Sequence, residues 1–105
     1  MAWLLLVSAG LVEILMAAAL KASDGWSRPV PGILGLLAAL VSIALLTQAI
    51  KSLPTGTAYA IWTGIGAVGV ALLGVLLHGD SASPARLACM GLIVAGIAGL
   101  RFLEA

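Results

Sequence analysis

Charge is the first thing that this sequence lacks. Its 105 residues include five Lys or Arg, four Asp or Glu and one His, for a formal net charge of +1. So little charge excludes a nucleic-acid-binding surface or a polybasic lipid anchor, because both need clustered Lys and Arg. Hydrophobic residues make up 63% of the chain and the mean hydropathy is +1.24, far outside the range of a water-soluble domain. Most of this chain is therefore built to contact lipid.

Cysteine is also scarce, and polar groups suited to catalysis are few. Cys89 is the single cysteine, so no internal disulfide can form, and we interpret it as a small packing residue. The apolar part of the chain holds one acid, with no nearby His, Cys pair or activated serine to complete a catalytic set. We therefore expect no enzyme, no cofactor and no metal site.

Long apolar stretches are what the sequence does contain. There are four, at approximately residues 3–21, 30–50, 56–77 and 85–103. Each is long enough to cross a hydrocarbon core of about 30 Å as an α-helix. Short connections between them carry Pro, Gly and much of the charge. We expect an all-α membrane protein, with residues 1–105 forming a single domain of four transmembrane helices.

Basic residues near the span ends are almost balanced between the two sides of the membrane. Lys51 and Arg101 fall on one side, and Lys21, Arg28 and Arg86 fall on the other. The positive-inside rule orients a chain by this imbalance, and a difference of one residue favours neither orientation. Four short helices do not easily enclose a polar pathway. We therefore expect a homodimer, which is antiparallel if copies insert in both directions.

Glu13 is the exceptional residue of the first span. About 15 Å of helix separates it from Trp3, so its carboxyl group falls close to the bilayer midplane. An acid at that depth costs on the order of 3 kcal/mol, and such residues usually face a water-filled cavity and serve transport. We predict that Glu13 binds a proton or a cationic cargo; a structural acid bonded to a neighbouring helix is the alternative. Gly10 and Met16 lie on the same helical face, where we expect them to line the site.

The second and third spans carry polar and aromatic residues that could serve the same site. Ser42 is at mid-span, where its hydroxyl group could donate to Glu13 or, equally well, to its own helix backbone. Tyr59, Trp62, Thr63 and Gly66 share one face of the third span. Aromatic rings attract desolvated cations, so we favour a pocket there over an interfacial aromatic belt.

Small residues suggest where helices bend or pack. Gly64 and Gly66 weaken local helix order in the third span, so we predict a bend that would suit alternating access. In the fourth span, Gly91, Ala95 and Gly99 recur every four residues. That spacing favours close contact between membrane helices, and we assign it to dimer packing.

These features together resemble the small multidrug resistance family along nearly the whole chain. The resemblance rests on four spans in 105 residues, on Glu13 and Ser42, on the connection 21–28 and on the run 53–66, LPTGTAYAIWTGIG. It implies an antiparallel homodimer in the bacterial inner membrane, in which two Glu13 carboxylates bind either protons or a cation and drive proton-coupled export. By the same resemblance, Tyr59 and Trp62 line the pocket and Ser42 supports Glu13.

Within that family the chain looks most like the guanidinium-exporter subtype, through Gly10, Ser42, Ala60 and the run 56–66. Ala60 joins the expected pocket lining on this ground. One residue departs from the subtype, because Met16 stands where those exporters usually have tryptophan. Methionine is flexible, so a wider pocket that admits substituted guanidines or lipophilic cations is expected. Export of quaternary ammonium compounds is the alternative, and a non-transporting subunit or half of a heterodimer is the second alternative.

Overall fold

The chain forms four α-helices. The computed structural model describes residues 1–104 and, within them, shows helices and turns without β-strands. The helices are α1, Ala2–Ala22; α2, Pro29–Ala49; α3, Thr55–Leu77; and α4, Pro84–Glu104. The prediction of four apolar helices is confirmed, and each predicted bound agrees with the structure to within one residue.

All four helices have the length and surface of membrane spans. They contain 21 or 23 residues, which corresponds to about 31–35 Å and matches the hydrocarbon core. The mean hydropathy over an 18-residue stretch of each helix ranges from 1.8 to 2.3. Large apolar side chains such as Leu4, Leu15 and Leu40 point outward and are exposed. In water this would be unfavourable, whereas in a bilayer these side chains contact lipid.

Proline defines where three of the helices begin. Pro29 and Pro84 are the first residues of α2 and α4, and Pro54 immediately precedes α3. Proline has no N–H to donate, and the first turn of a helix has no intrahelical acceptor for one. The connections therefore end where a helix can start without losing a hydrogen bond.

The connection between α1 and α2 is a tight turn held by Ser23. The Ser23 hydroxyl group donates to the Leu20 carbonyl at 2.7 Å and accepts the Trp26 N–H at 3.2 Å. Asp24, Gly25 and Trp26 all have positive φ, between 49° and 72°. This left-handed run reverses the chain within a few residues, so α2 lies alongside α1.

The helices form a flat layer rather than a closed bundle. The protomer measures 42 × 35 × 16 Å, and 16 Å is less than two helix diameters of about 10 Å each. α1 lies between α2 and α3, while α4 packs against α3. A layer of this thickness leaves the broad faces of the helices open.

Tight packing is concentrated at one end of the layer. The buried apolar side chains come from the first half of α1, the end of α2 and the start of α3: Leu6, Ala9, Leu46, Ala49, Ala58 and Ile61. By contrast, none of the described residues of α4 is buried. The first three helices therefore form the fixed frame that holds the polar mid-span residues.

Candidate functional site

Glu13 lies in the middle of α1 and faces α3. Its Oε1 atom is buried and has no hydrogen-bond partner among the described residues. The carboxyl group rests against Gly66, so closely that a Cβ atom added at Gly66 would overlap Oε1. A buried polar atom without a partner is costly, because it loses its bonds to water and gains none in return. This atom is the strongest sign of an unfinished binding site in the protomer.

Ser42 links three helices through hydrogen bonds. Its hydroxyl group donates to the Ala9 carbonyl at 2.7 Å and accepts the Trp62 Nε1–H at 2.9 Å. The expected bond from Ser42 to Glu13 is absent, and so is the alternative bond to its own helix backbone. Ala9 is one turn before Glu13, and in an α-helix its carbonyl also accepts the Glu13 backbone N–H. Ser42 therefore bonds the α1 backbone one turn before Glu13 rather than the Glu13 carboxyl group.

The two aromatic residues of α3 contact each other. The rings of Tyr59 and Trp62 are 5.7 Å apart between centroids and meet edge to face at 80°. Such pairs stabilise by about 0.5–1.5 kcal/mol beyond the area that they bury. Trp62 is half-buried and donates to Ser42, whereas Tyr59 is 48% exposed. The pair thus presents one anchored and one open ring at the face of the layer.

The remaining predicted site residues differ in how far the protomer encloses them. Gly10 is buried, and a Cβ there would lie 2.6 Å from Ile65 Cγ2, so it is a contact point between α1 and α3. Met16 is half-buried, one turn after Glu13. Ala60 and Thr63 are exposed on α3. One protomer therefore holds Glu13, Ser42 and Trp62 on three helices that pack together. It leaves the predicted lining open on one side.

A cavity of the protomer lies away from the predicted site. It has a volume of about 150 Å³ and is lined by Ala18, Lys21, Val70, Leu73, Gly74, His78 and Asp80. These residues come from the ends of α1 and α3 and the turn that follows α3, and none of them was predicted to bind cargo. The predicted site itself is a face of the layer, not an enclosed cavity.

The small residues of α4 lie on its open surface. Gly91, Ala95 and Gly99 are all exposed, and a Cβ added at either glycine would meet nothing within 4 Å. Their role in dimer packing stays a prediction. Among residues 1–104, no group of three or more His, Cys, Asp or Glu side chains is arranged to hold a metal ion.

Two contacts near the end of α4 were not predicted. The Arg101 guanidinium lies 4.4 Å from the centre of the Trp3 ring, and Thr57 Oγ1 donates to Glu104 Oε1 at 3.3 Å. The sequence had placed Arg101 only on one side of the membrane, without a partner. These contacts attach the end of α4 to the starts of α1 and α3. The Ala9 carbonyl was also missed, since a backbone acceptor leaves no mark in the sequence.

Fold and site together define a multi-pass membrane protein with a mid-span carboxyl group on an open helical face. Comparison with known proteins agrees with this class. The family model "Small Multidrug Resistance protein" matches residues 1–93. This chain belongs to the Small Multidrug Resistance family, and it is a multi-pass protein of the bacterial inner membrane.

Several relatives are similar over almost their whole length. A protein of Salmonella typhimurium named guanidinium exporter is 58% identical over 101 residues, which are 96% of each chain. Guanidinium exporters of Citrobacter freundii and Yersinia pseudotuberculosis are 56% and 58% identical over 101 residues, again 96% of this chain and 96% and 97% of theirs. The relatives are thus named as transporters, in agreement with the transport role predicted for this chain.

Proposed function

We propose that this protein is a proton-coupled exporter of small organic cations, most specifically of guanidinium or substituted guanidines. One observation carries the proposal: the Glu13 carboxyl group is held at mid-span with a buried oxygen that has no hydrogen-bond partner within residues 1–104. A proton or a cation would supply that partner. The names of the full-length relatives support guanidinium as the cargo.

Competition for one carboxyl group explains how proton entry and cargo release are coupled. A carboxylate attracts a cation through its negative charge, and a protonated carboxyl group has lost that charge. Proton entry therefore releases cargo, and cargo entry releases the proton. Guanidinium also carries a planar set of N–H donors that can bond a carboxylate through two parallel bonds. The open ring of Tyr59 and the neighbouring Trp62 add aromatic faces that favour a desolvated cation.

An antiparallel homodimer completes this proposal. The predicted lining lies on an open face of a layer 16 Å thick, so a second layer placed over it would enclose the site. The near balance of Lys and Arg between the two sides is compatible with insertion in both directions. Two Glu13 residues would then share one site, and their protons would leave in coupled steps that belong to the pair. In this dimer Gly91, Ala95 and Gly99 would form the close helix contact, and Gly64 with Gly66 would permit α3 to bend.

The test is transport by the purified protein in liposomes. Currents are recorded on rapid perfusion with guanidinium, a substituted guanidine or a quaternary ammonium compound. We expect currents for the guanidinyl compounds, and we expect Glu13→Gln to abolish them, because glutamine cannot hold the charge or exchange the proton. Glu104→Gln is the matched control, since it removes an exposed carboxylate at the end of α4 and should leave the currents intact.

Met16 is the observation that keeps a second cargo class in the test. It is half-buried one turn from Glu13, at the position where the resemblance leads us to expect tryptophan. Larger currents for the quaternary ammonium compound would reassign the protein to multidrug export. Absence of current for all three compounds, with a correctly assembled protein, would contradict transport by this chain alone. It would favour a heterodimer or a non-transporting subunit.

A further inference from the structure

Side chains of the neighbouring helices pack against three glycines of α3, and the group that packs against Gly66 is a carboxyl group. At Gly64 an added Cβ would lie 2.8 Å from Ile97 Cδ1, the flexible end of an α4 side chain. At Gly69 it would overlap the side chain of Ile14 from α1. At Gly66 it would overlap Glu13 Oε1 and lie 2.5 Å from the carboxyl carbon, Cδ. The space that Gly66 leaves is therefore occupied by the group expected to bind the cargo.

We infer that Gly66 is a positioning residue of the cation site, and not only a point where α3 can bend. Its missing side chain lets the Glu13 carboxyl group lie back against α3, with Oε1 enclosed and unbonded. Gly66 thus decides how far the Glu13 carboxylate projects from α1 and α3 toward the cargo. This inference rests on the proposed role of Glu13.

The geometry gives the size of the displacement that a side chain would cause. Ordinary van der Waals contact of a Cβ atom begins at 3.4 Å, so with alanine at position 66 the Glu13 Cδ would have to retreat by about 0.9 Å. Sites that act by geometry must hold their groups within about 0.5 Å. Misplacement by about 1 Å costs on the order of a hundredfold in catalytic sites, so a loss of roughly tenfold or more in cation affinity is expected here.

A bending role alone predicts something different. Alanine removes the conformational freedom of glycine equally at Gly64 and at Gly66. If α3 only needs to bend, Gly64→Ala and Gly66→Ala should damage transport alike. A positioning role instead singles out Gly66, because at Gly64 and Gly69 the added methyl group meets isoleucine side chains. Gly69→Ala serves as the packing control, since it tightens the same α1–α3 contact without touching Glu13.

Shortening the acid provides a second, independent arm. Glu13→Asp withdraws the carboxylate by one methylene group and should weaken binding by itself. In the double variant Glu13→Asp, Gly66→Ala, the shorter side chain no longer collides with the new methyl group. If the two changes acted independently, their effects on guanidinium affinity would multiply. We therefore expect the double variant to bind guanidinium more tightly than that product predicts, which is the sign of direct coupling.

The experiment measures the guanidinium concentration at half-maximal current, in liposomes, for the unmodified protein and these variants. Size-exclusion elution and the helical circular-dichroism signal confirm that each variant is assembled. Support is a rise of about tenfold or more for Gly66→Ala, a clearly smaller rise for Gly64→Ala, a rise of less than about threefold for Gly69→Ala, and a positive coupling in the double variant. Equal losses at Gly64 and Gly66 with no coupling to Glu13 would overturn the inference. Absence of current in the unmodified protein would instead contradict the proposed function.

Discussion

Removing the Ser42 hydroxyl group should destabilise the protein measurably, because this one oxygen makes two hydrogen bonds between helices. Ser42 is 1% exposed, and it joins the Ala9 carbonyl of α1 to the Trp62 indole of α3. Hydrogen bonds between membrane helices contribute about 0.6 kcal/mol on average and up to about 1.7 kcal/mol. Loss of both bonds in Ser42→Ala should therefore lower the free energy of unfolding by about 1–3 kcal/mol.

A graded pair of variants separates the two bonds. Trp62→Phe removes the indole N–H donor together with part of the ring, so its hydrogen-bonding cost should be about half that of Ser42→Ala, with the loss of ring packing added to it. In Ser42→Ala the Trp62 N–H loses its acceptor, whereas the Ala9 carbonyl keeps its bond from the Glu13 backbone. The double variant should cost less than the sum of the two single variants, since the Trp62 bond is already lost when the hydroxyl group is gone.

Unfolding by sodium dodecyl sulfate, followed by circular dichroism in mixed micelles, measures these free energies. Thr47→Ala is the control, because its hydroxyl group donates to the Ile43 carbonyl of its own helix, at 2.7 Å, and is exposed. It should change the free energy of unfolding by less than about 0.5 kcal/mol. Two results would contradict this reasoning: Ser42→Ala is as stable as the unmodified protein, or its cost and that of Trp62→Phe simply add. In either case the hydrogen bonds of Ser42 do not stabilise the packing of α1, α2 and α3.

Three further perturbations follow from the same geometry. Lowering the pH by one unit in the range where Glu13 titrates should raise the guanidinium concentration at half-maximal current by up to about tenfold, because protons and cations compete for one carboxylate; a flat profile would contradict that competition. Met16→Trp should keep guanidinium currents and reduce those of quaternary ammonium compounds, because a rigid ring narrows the space beside Glu13; unchanged relative currents would show that Met16 does not shape the pocket. Arg101→Gln should lower the free energy of unfolding by about 0.5–1 kcal/mol through loss of its contact with the Trp3 ring, which detergent titration would reveal; the same change in a Trp3→Leu background should have no effect.

The positions of the spans could be predicted because a bilayer leaves the backbone few choices. Inside the hydrocarbon core every N–H and C=O group must find a partner within the protein, and a continuous helix provides that locally. Hydropathy and proline positions therefore fixed the helix bounds to within one residue. Glu13 could be found for a related reason, since a charge inside an apolar span is costly and needs a function to retain it.

The partners of Ser42 and Gly66 could not be predicted, because both depend on which helices are neighbours. A hydroxyl group can donate to any acceptor within reach, and the sequence offered Glu13 or the α2 backbone while the fold supplied the Ala9 carbonyl. A glycine marks only the absence of a side chain, so a pattern indicates flexibility as readily as contact. The packing of α1 against α3 decided that the space at Gly66 holds the Glu13 carboxyl group.

The sequence by itself therefore determined the class of this protein, its four spans and the position of the one acid inside them, since each follows from the free energy of transferring a local segment into lipid. Tertiary structure alone decided that the helices form a flat layer, that Ser42 joins α1 to α3, and that one carboxyl oxygen of Glu13 is enclosed without a partner in the described part of the chain. These features arise from contacts between residues distant in the chain. Their energies depend on distances of a few ångströms, which no local pattern of residues specifies.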